Sequence, residues 1–183
     1  MHEQERQRAY QLEQQGLLGE AERVLRSAGP SYELASFLER TGSLQEACQV
    51  YRDLLDVQAR ESQPERVSTC EMLADLLGQL GHIEEALQLY QRSLDYQVEQ
   101  LGPTHPELAN THRDRARLLN RHGRHSQAEQ AYRQMLDMRL RCHGPSHPAL
   151  IPGLIEVADF LSTHTADGRQ MGMWLPLRRQ VQR

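Results

Sequence analysis

Three arginines, Arg113, Arg117 and Arg121, recur at a spacing of four residues. On a helix this spacing stacks their guanidiniums along one face, where each like-charged neighbour pair costs about 0.2–0.5 kcal/mol unless something compensates. One compensation is an external ligand: an acidic peptide or a C-terminal carboxylate held by bidentate arginine contacts. The other is internal. Glu71 and Asp75 precede Arg113 and Arg117 by 42 residues, and Asp159 follows Arg117 by the same interval. Both readings stand at this level. Gln79 and Thr163 share the register of Arg121, which makes it the arginine with least to neutralise it.

The other reactive side chains are less suggestive. His122, His125, Cys142, His143 and His147 fall in one stretch and are metal-ligand types. However, His105 and His147 occupy equivalent places 42 residues apart, and no third ligand is fixed beside His122 and His125. No metal and no cofactor are expected. Cys48, Cys70 and Cys142 are far apart, odd in number and without C-x-x-C spacing, as for reduced thiols in a cytoplasmic protein. No cysteine has a motif-defined histidine, no G-x-S-x-G is present, and the acidic residues have solvated-helix spacing. The expectation is a chain that catalyses nothing.

Composition narrows the partners. All 21 basic residues are arginine, and the formal charge is −4, which argues against general attraction to nucleic acid or an anionic membrane. The charged start, Met1 to Arg6, is followed by no apolar run, so neither a secretory signal nor a membrane span is expected.

The elements that must position these residues come from an internal repeat. Gly16, Gly42, Gly81 and Gly123 are each followed five residues on by Ala21, Ala47, Ala86 and Ala128, and four further by Leu25, Tyr51, Tyr90 and Tyr132. Seven residues before each glycine stand Ala9, Ala35, Ala74 and Ala116, and three after those alanines Leu12, Leu38, Leu77 and Leu119. Ala158 and Leu161 extend this last pair to a fifth unit, with Thr165 at the glycine position. The frame predicts helical hairpins: a small residue in each helix allows close approach, a leucine or tyrosine fills the space beside it, and the glycine permits the reversal. First helices are predicted over about 3–15, 31–41, 65–80, 106–122 and 148–163, and second helices over about 19–28, 44–60, 83–100 and 125–142. Thr104 with Glu107, and Ser62 with Glu65, have the spacing of a capping box, with Pro106 and Pro64 in the first turn.

These small, glycine, alanine and aromatic positions resemble the tetratricopeptide repeat. The linker Gly102-Pro103-Thr104-His105-Pro106, which returns as Gly144-Pro145-Ser146-His147-Pro148, is similar to that of the 42-residue kinesin light chain type. The resemblance covers roughly residues 3 to 164. It implies an all-α fold, an α-α superhelix (TPR solenoid) of about four to five hairpins. It also implies repeats of about 2–28, 29–63, 64–105, 106–147 and 148–167, followed by a segment 168–183 that caps the stack or binds a partner.

In that family the first helices line a concave groove that binds a peptide or protein. Carried onto this chain, the groove positions are Tyr32, Glu33, Ser36 and Glu39, then Glu71, Met72, Asp75 and Gln79. The following helices add Asn110, Arg113, Asp114, Arg117, Asn120 and Arg121, and finally Ile155, Glu156, Asp159 and Ser162. Kinesin light chains hold extended peptides with paired asparagines where this chain has Arg113 and Asp114, so their cargo specificity does not carry over. The expected function is a non-catalytic adaptor or scaffold for a protein or peptide, an acidic one included. Self-association through Met171 to Leu177 is the alternative, and nucleic-acid contact through the arginine helix is disfavoured by Glu71 and Asp75.

Overall fold

The computed structural model describes residues 3–61 and 65–164. The described elements are α1 (Glu3–Gln14), α2 (Leu18–Ser27), α3 (Tyr32–Arg40), α4 (Leu44–Glu61), α5 (Arg66–Gln79), α6 (Ile83–Leu101), α7 (Leu108–Arg121), α8 (His125–His143) and α9 (Ile151–His164). A short 3-10 helix, Pro148–Leu150, leads into α9. No strand occurs among the described residues, and the chain is all-α. It divides into two compact units, residues 1–93 and 94–183, with the boundary falling inside α6.

In the first unit α1 pairs with α2, and α3 packs against α2 and α4. In turn α4 packs against α5. The repeated alanines explain the closeness of these pairs: Ala21, Ala35, Ala47, Ala74 and Ala86 are wholly buried, and Ala9 nearly so. A longer side chain at any of these positions would hold the two backbones apart. Leu25, Leu38, Tyr51, Leu77 and Tyr90 are buried beside them. In the second unit α7 pairs with α8 over Ala116 and Ala128, with Leu119 and Tyr132 as the fillers, and α8 packs against α9.

Each repeat glycine closes its hairpin by one hydrogen-bonding device. After α3, the Gly42 amide donates to the Glu39 carbonyl and the Ser43 amide to that of Leu38. This is the Schellman arrangement, which needs a left-handed residue at the turn; Gly42 has φ of 84°. The same pair of bonds recurs at Gly16, Gly81 and Gly123, each time with the repeat leucine as the far acceptor. A Cβ at these glycines would meet no neighbour, so the positive φ alone selects glycine, not crowding from other elements.

Two local expectations are corrected. Thr104 and Glu107 form no capping box: α7 starts later, at Leu108, with Glu107 as a cap residue whose side chain makes no capping bond. The linker histidine does this work, because His105 Nδ1 accepts from the Glu107 amide at 3.3 Å and His147 Nδ1 from the Ala149 amide at 3.1 Å. Ser62 and Pro64 lie outside the described residues. The second correction concerns Ala158, which is exposed. The second helices bury the other repeat alanines, and no second helix follows α9 among the described residues; Gly153, Val157, Phe160 and Leu161 bury α9 instead.

Candidate functional site

The groove positions of the first unit are on α3 and α5. Tyr32 is tied down: its hydroxyl donates to the Glu65 carbonyl at 3.0 Å, meets Thr69 Oγ1, and accepts from Gln58 Nε2 at 3.2 Å. Ser36 accepts from Arg40, which also forms a bidentate pair with Glu13, and Glu33 pairs with Arg6. Between α1 and α3 these residues border a cleft of about 460 Å³ lined also by Tyr10 and Leu25. Tyr10 is 62% exposed. On α5, Glu71 accepts from Ser93 and Asp75 from the Tyr90 hydroxyl, while Met72 is exposed.

In the second unit α7 brings Asn110, Arg113, Arg117, Asn120 and Arg121 together on one helix. Arg113 donates to Asp114 at 3.0 and 3.3 Å. Arg117 forms a short bidentate pair with Glu156 of α9 at 2.6 and 3.0 Å and reaches Asp114 at 3.5 Å. The hydrogen bonds to Glu156 raise the pKa of Arg117 above its ordinary value, burial opposing them. Asn120 Oδ1 lies 3.2 Å from His125 Nδ1. Arg121 makes no ion pair among the described residues, and Asp159 takes none of the arginines. Internal compensation of this face is therefore partial, and Asp114 and Glu156 supply it.

Sequence reasoning missed three kinds of participant. The second-helix tyrosines do more than fill space: Tyr51 donates to Glu39 at 2.7 Å, Tyr90 to Asp75, and Tyr132 to Glu156 at 3.3 Å. Burial, with the carboxylate beside each ring, pushes the pKa of Tyr51 and Tyr132 well up. A second omission is a pair of buried polar seams: Thr69 Oγ1 donates to Gln58 Oε1 at 2.8 Å, and Thr111 Oγ1 to Gln97 Oε1 at 3.0 Å. The third is Arg139 of α8, half-buried, with Nη2 3.4 Å from Asn110 Oδ1 and Nη1 3.4 Å from the Ala149 carbonyl. The signal for the seams was present, since Gln58 and Gln97 are 39 residues apart and Thr69 and Thr111 are 42 apart.

The remaining reactive groups are quiet. Cys48 and Cys70 are buried, and burial raises both thiols, Cys70 to about 11, which keeps them protonated and poorly nucleophilic. His143 and His147 stack with centroids 4.8 Å apart. Cys142 Sγ donates to the Thr104 carbonyl. No described group of three or more His, Cys, Asp or Glu residues converges as metal ligands would, and no described helix is long and apolar enough to cross a membrane.

Helical hairpins repeated in register, each with small residues at the crossing and a left-handed glycine at the turn, define an all-α repeat protein of interaction-scaffold type. Residues 26–97 and 68–141 each match the tetratricopeptide repeat family, and the chain belongs to that family. Its fold is similar to a Podosopora anserina protein of kinesin light chain type with nearly identical TPR-like repeats. That match has a TM-score of 0.68 and 20% identity, covering 98% of this chain and 92% of the other. A variant of that protein gives 0.67 and 19%, covering 98% and 96%. BtubC (BKLC) from P. vanneervenii is similar at a TM-score of 0.63 and 20% identity, covering 98% of this chain and 69% of the other. The repeats are thus kinesin light chain-like in fold. No curated protein matches the chain.

Proposed function

We propose that the chain is a non-catalytic adaptor that holds a protein or peptide partner on the solvent-facing side of its first helices. The observation that carries this is the arginine face of α7, where three guanidiniums on one helix are only partly offset by Asp114 and Glu156. An acidic segment complements what remains. The tetratricopeptide fold supports the class, since it is a scaffold for protein–protein interaction and typically non-catalytic. A cytoplasmic location accords with the reduced cysteines.

Replacing Arg113→Glu together with Arg117→Glu is expected to abolish partner capture in a pull-down read by mass spectrometry, with the helical circular dichroism unchanged. Undiminished capture removes the α7 face from the function.

One observation favours a second reading, self-association. On α9, Ile151 and Ile155 are 50% and 57% exposed and lie one turn apart, an apolar stripe beside the exposed Ala158. The Met171–Leu177 segment proposed for the same role lies outside the described residues. Light scattering of the full chain, of Ile151→Ser with Ile155→Ser, and of the chain without residues 168–183 separates the readings: loss of an oligomer on either change supports self-association, and a monomer throughout supports the adaptor.

A further inference from the structure

The two buried polar seams have a third counterpart that breaks their rule. The glycine-to-glycine interval from Gly81 to Gly123 is 42 residues, so Gln97 corresponds to Arg139 and Thr111 to Gly153. Where the second seam closes a neutral Gln–Thr hydrogen bond, the third places a guanidinium opposite a residue with no side chain. The exchange is steric as well as electrostatic. A Cβ on Gly153 would stand 2.9 Å from Met135 Sδ and 3.1 Å from Arg139 Nη1, so the missing side chain leaves room for both.

The guanidinium is poorly served there. Its two hydrogen bonds, both 3.4 Å, are at the long limit and go to neutral oxygens, and no carboxylate reaches it among the described residues. Arg113 and Arg117 repel it, and only Glu156, already committed to Arg117, attracts it. Burial, then Arg113, lowers its pKa from the ordinary value, yet a guanidinium stays charged. Its Nη2 end lies beside exposed Asn110, open to an incoming group.

We infer that Arg139, beside Asn110, is a carboxylate-receiving position for an extended peptide partner. This rests on the adaptor reading and specifies its chemistry: the peptide supplies one carboxylate, from an Asp or Glu side chain or from its free C-terminus. The guanidinium then exchanges two weak neutral contacts for a charge-assisted pair.

The test uses the full chain and two libraries of random octapeptides, one ending in a free C-terminus and one with the random stretch followed by a fixed Gly-Ser tail. The wild type is expected to enrich peptides with an acid at one position. Enrichment confined to the free-terminus library assigns the α-carboxylate, and enrichment in both assigns a side chain. Arg139→Met and Arg139→Gln are expected to weaken binding of the selected acidic peptides by about tenfold or more. Arg139→Lys should recover part of the loss. Arg141→Met, which removes an exposed arginine paired with Asp137, should change binding by less than about twofold. Binding of the selected peptides by both Arg139→Met and Arg139→Gln at wild-type strength overturns the inference, as does selection from both libraries alike of peptides without acid enrichment; the adaptor reading survives either result. Selection of no peptide from either library overturns the inference, and the adaptor reading then rests on the pull-down with Arg113→Glu and Arg117→Glu.

Discussion

The Gln58–Thr69 seam of the first unit and the Arg139–Gly153 seam of the second occupy corresponding places and solve the same problem differently. The first is closed: Gln58 is 2% exposed and Thr69 wholly buried, and the two side chains with Tyr32 satisfy one another. In the second a charge has replaced an amide, and it meets two long neutral contacts and the pull of Glu156, which Arg117 already holds. Here a repeat fold keeps its packing frame constant while one seam is altered to face outward. Closed seams hold the helices in register; the open one is where a partner's chemistry enters.

Four measurements would break or sharpen this contrast. The largest effect is expected from Gly153→Val, which pushes a branched side chain against Met135, Leu136 and Arg139; thermal or urea unfolding should show a loss of about 3 kcal/mol. If stability is unchanged, the packing of α8 on α9 does not need the missing side chain. Next, Thr69→Val removes the donor to buried Gln58 and should cost about 2 kcal/mol, whereas Gln58→Leu with Thr69→Val should return to within about 1 kcal/mol of wild type. A double variant as unstable as the single one would show that the pair matters for more than mutual satisfaction.

Third, His112 follows the seam residue Thr111, and its buried Nδ1 has no hydrogen-bond partner among the described residues. Burial, with nearby Arg115, lowers its pKa from 6.5 to about 4. The unfolded chain therefore binds the proton first, so stability is level above about pH 6.5 and falls as the pH drops toward 4. Solvent access to the ring limits the effect to about 1–2 kcal/mol. His112→Leu should flatten that part of the pH–stability curve, and an unaltered slope would assign it to other groups. The smallest effect is expected from Arg139→Met, which removes an unbalanced charge and should shift stability by no more than about 1 kcal/mol, upward if at all. A large loss would mean that the arginine is structural.

Helices and turns were legible because their signals are local and repeated. Ala35, Ala74 and Ala116 recur with their leucines, and the glycines mark the turns to within a residue or two of the ends found. The α7 arginine face was legible for the same reason, since a spacing of four is a statement about one helix. Its neutralisation was not. Asp114 and Glu156, where Asp159 had equal standing in register, were chosen by side-chain reach, which spacing does not encode. Arg139 escaped notice because it lies on a second helix, outside the expected groove positions, and acquires meaning only beside Gly153. The linker histidines look like metal ligands in one dimension and act as backbone acceptors in three.

The glycine at 153 also bears on how such a chain can grow. Met135 and Arg139 are larger than Ser93 and Gln97 in the same register, and Gly153 is correspondingly smaller than Thr111. The α8 helix thus carries a lock cut for its own successor, unlike the two Gln–Thr seams before it. A following helix with threonine at that position would set the bulky pair against it, so what can come after α8 is written into steric fit.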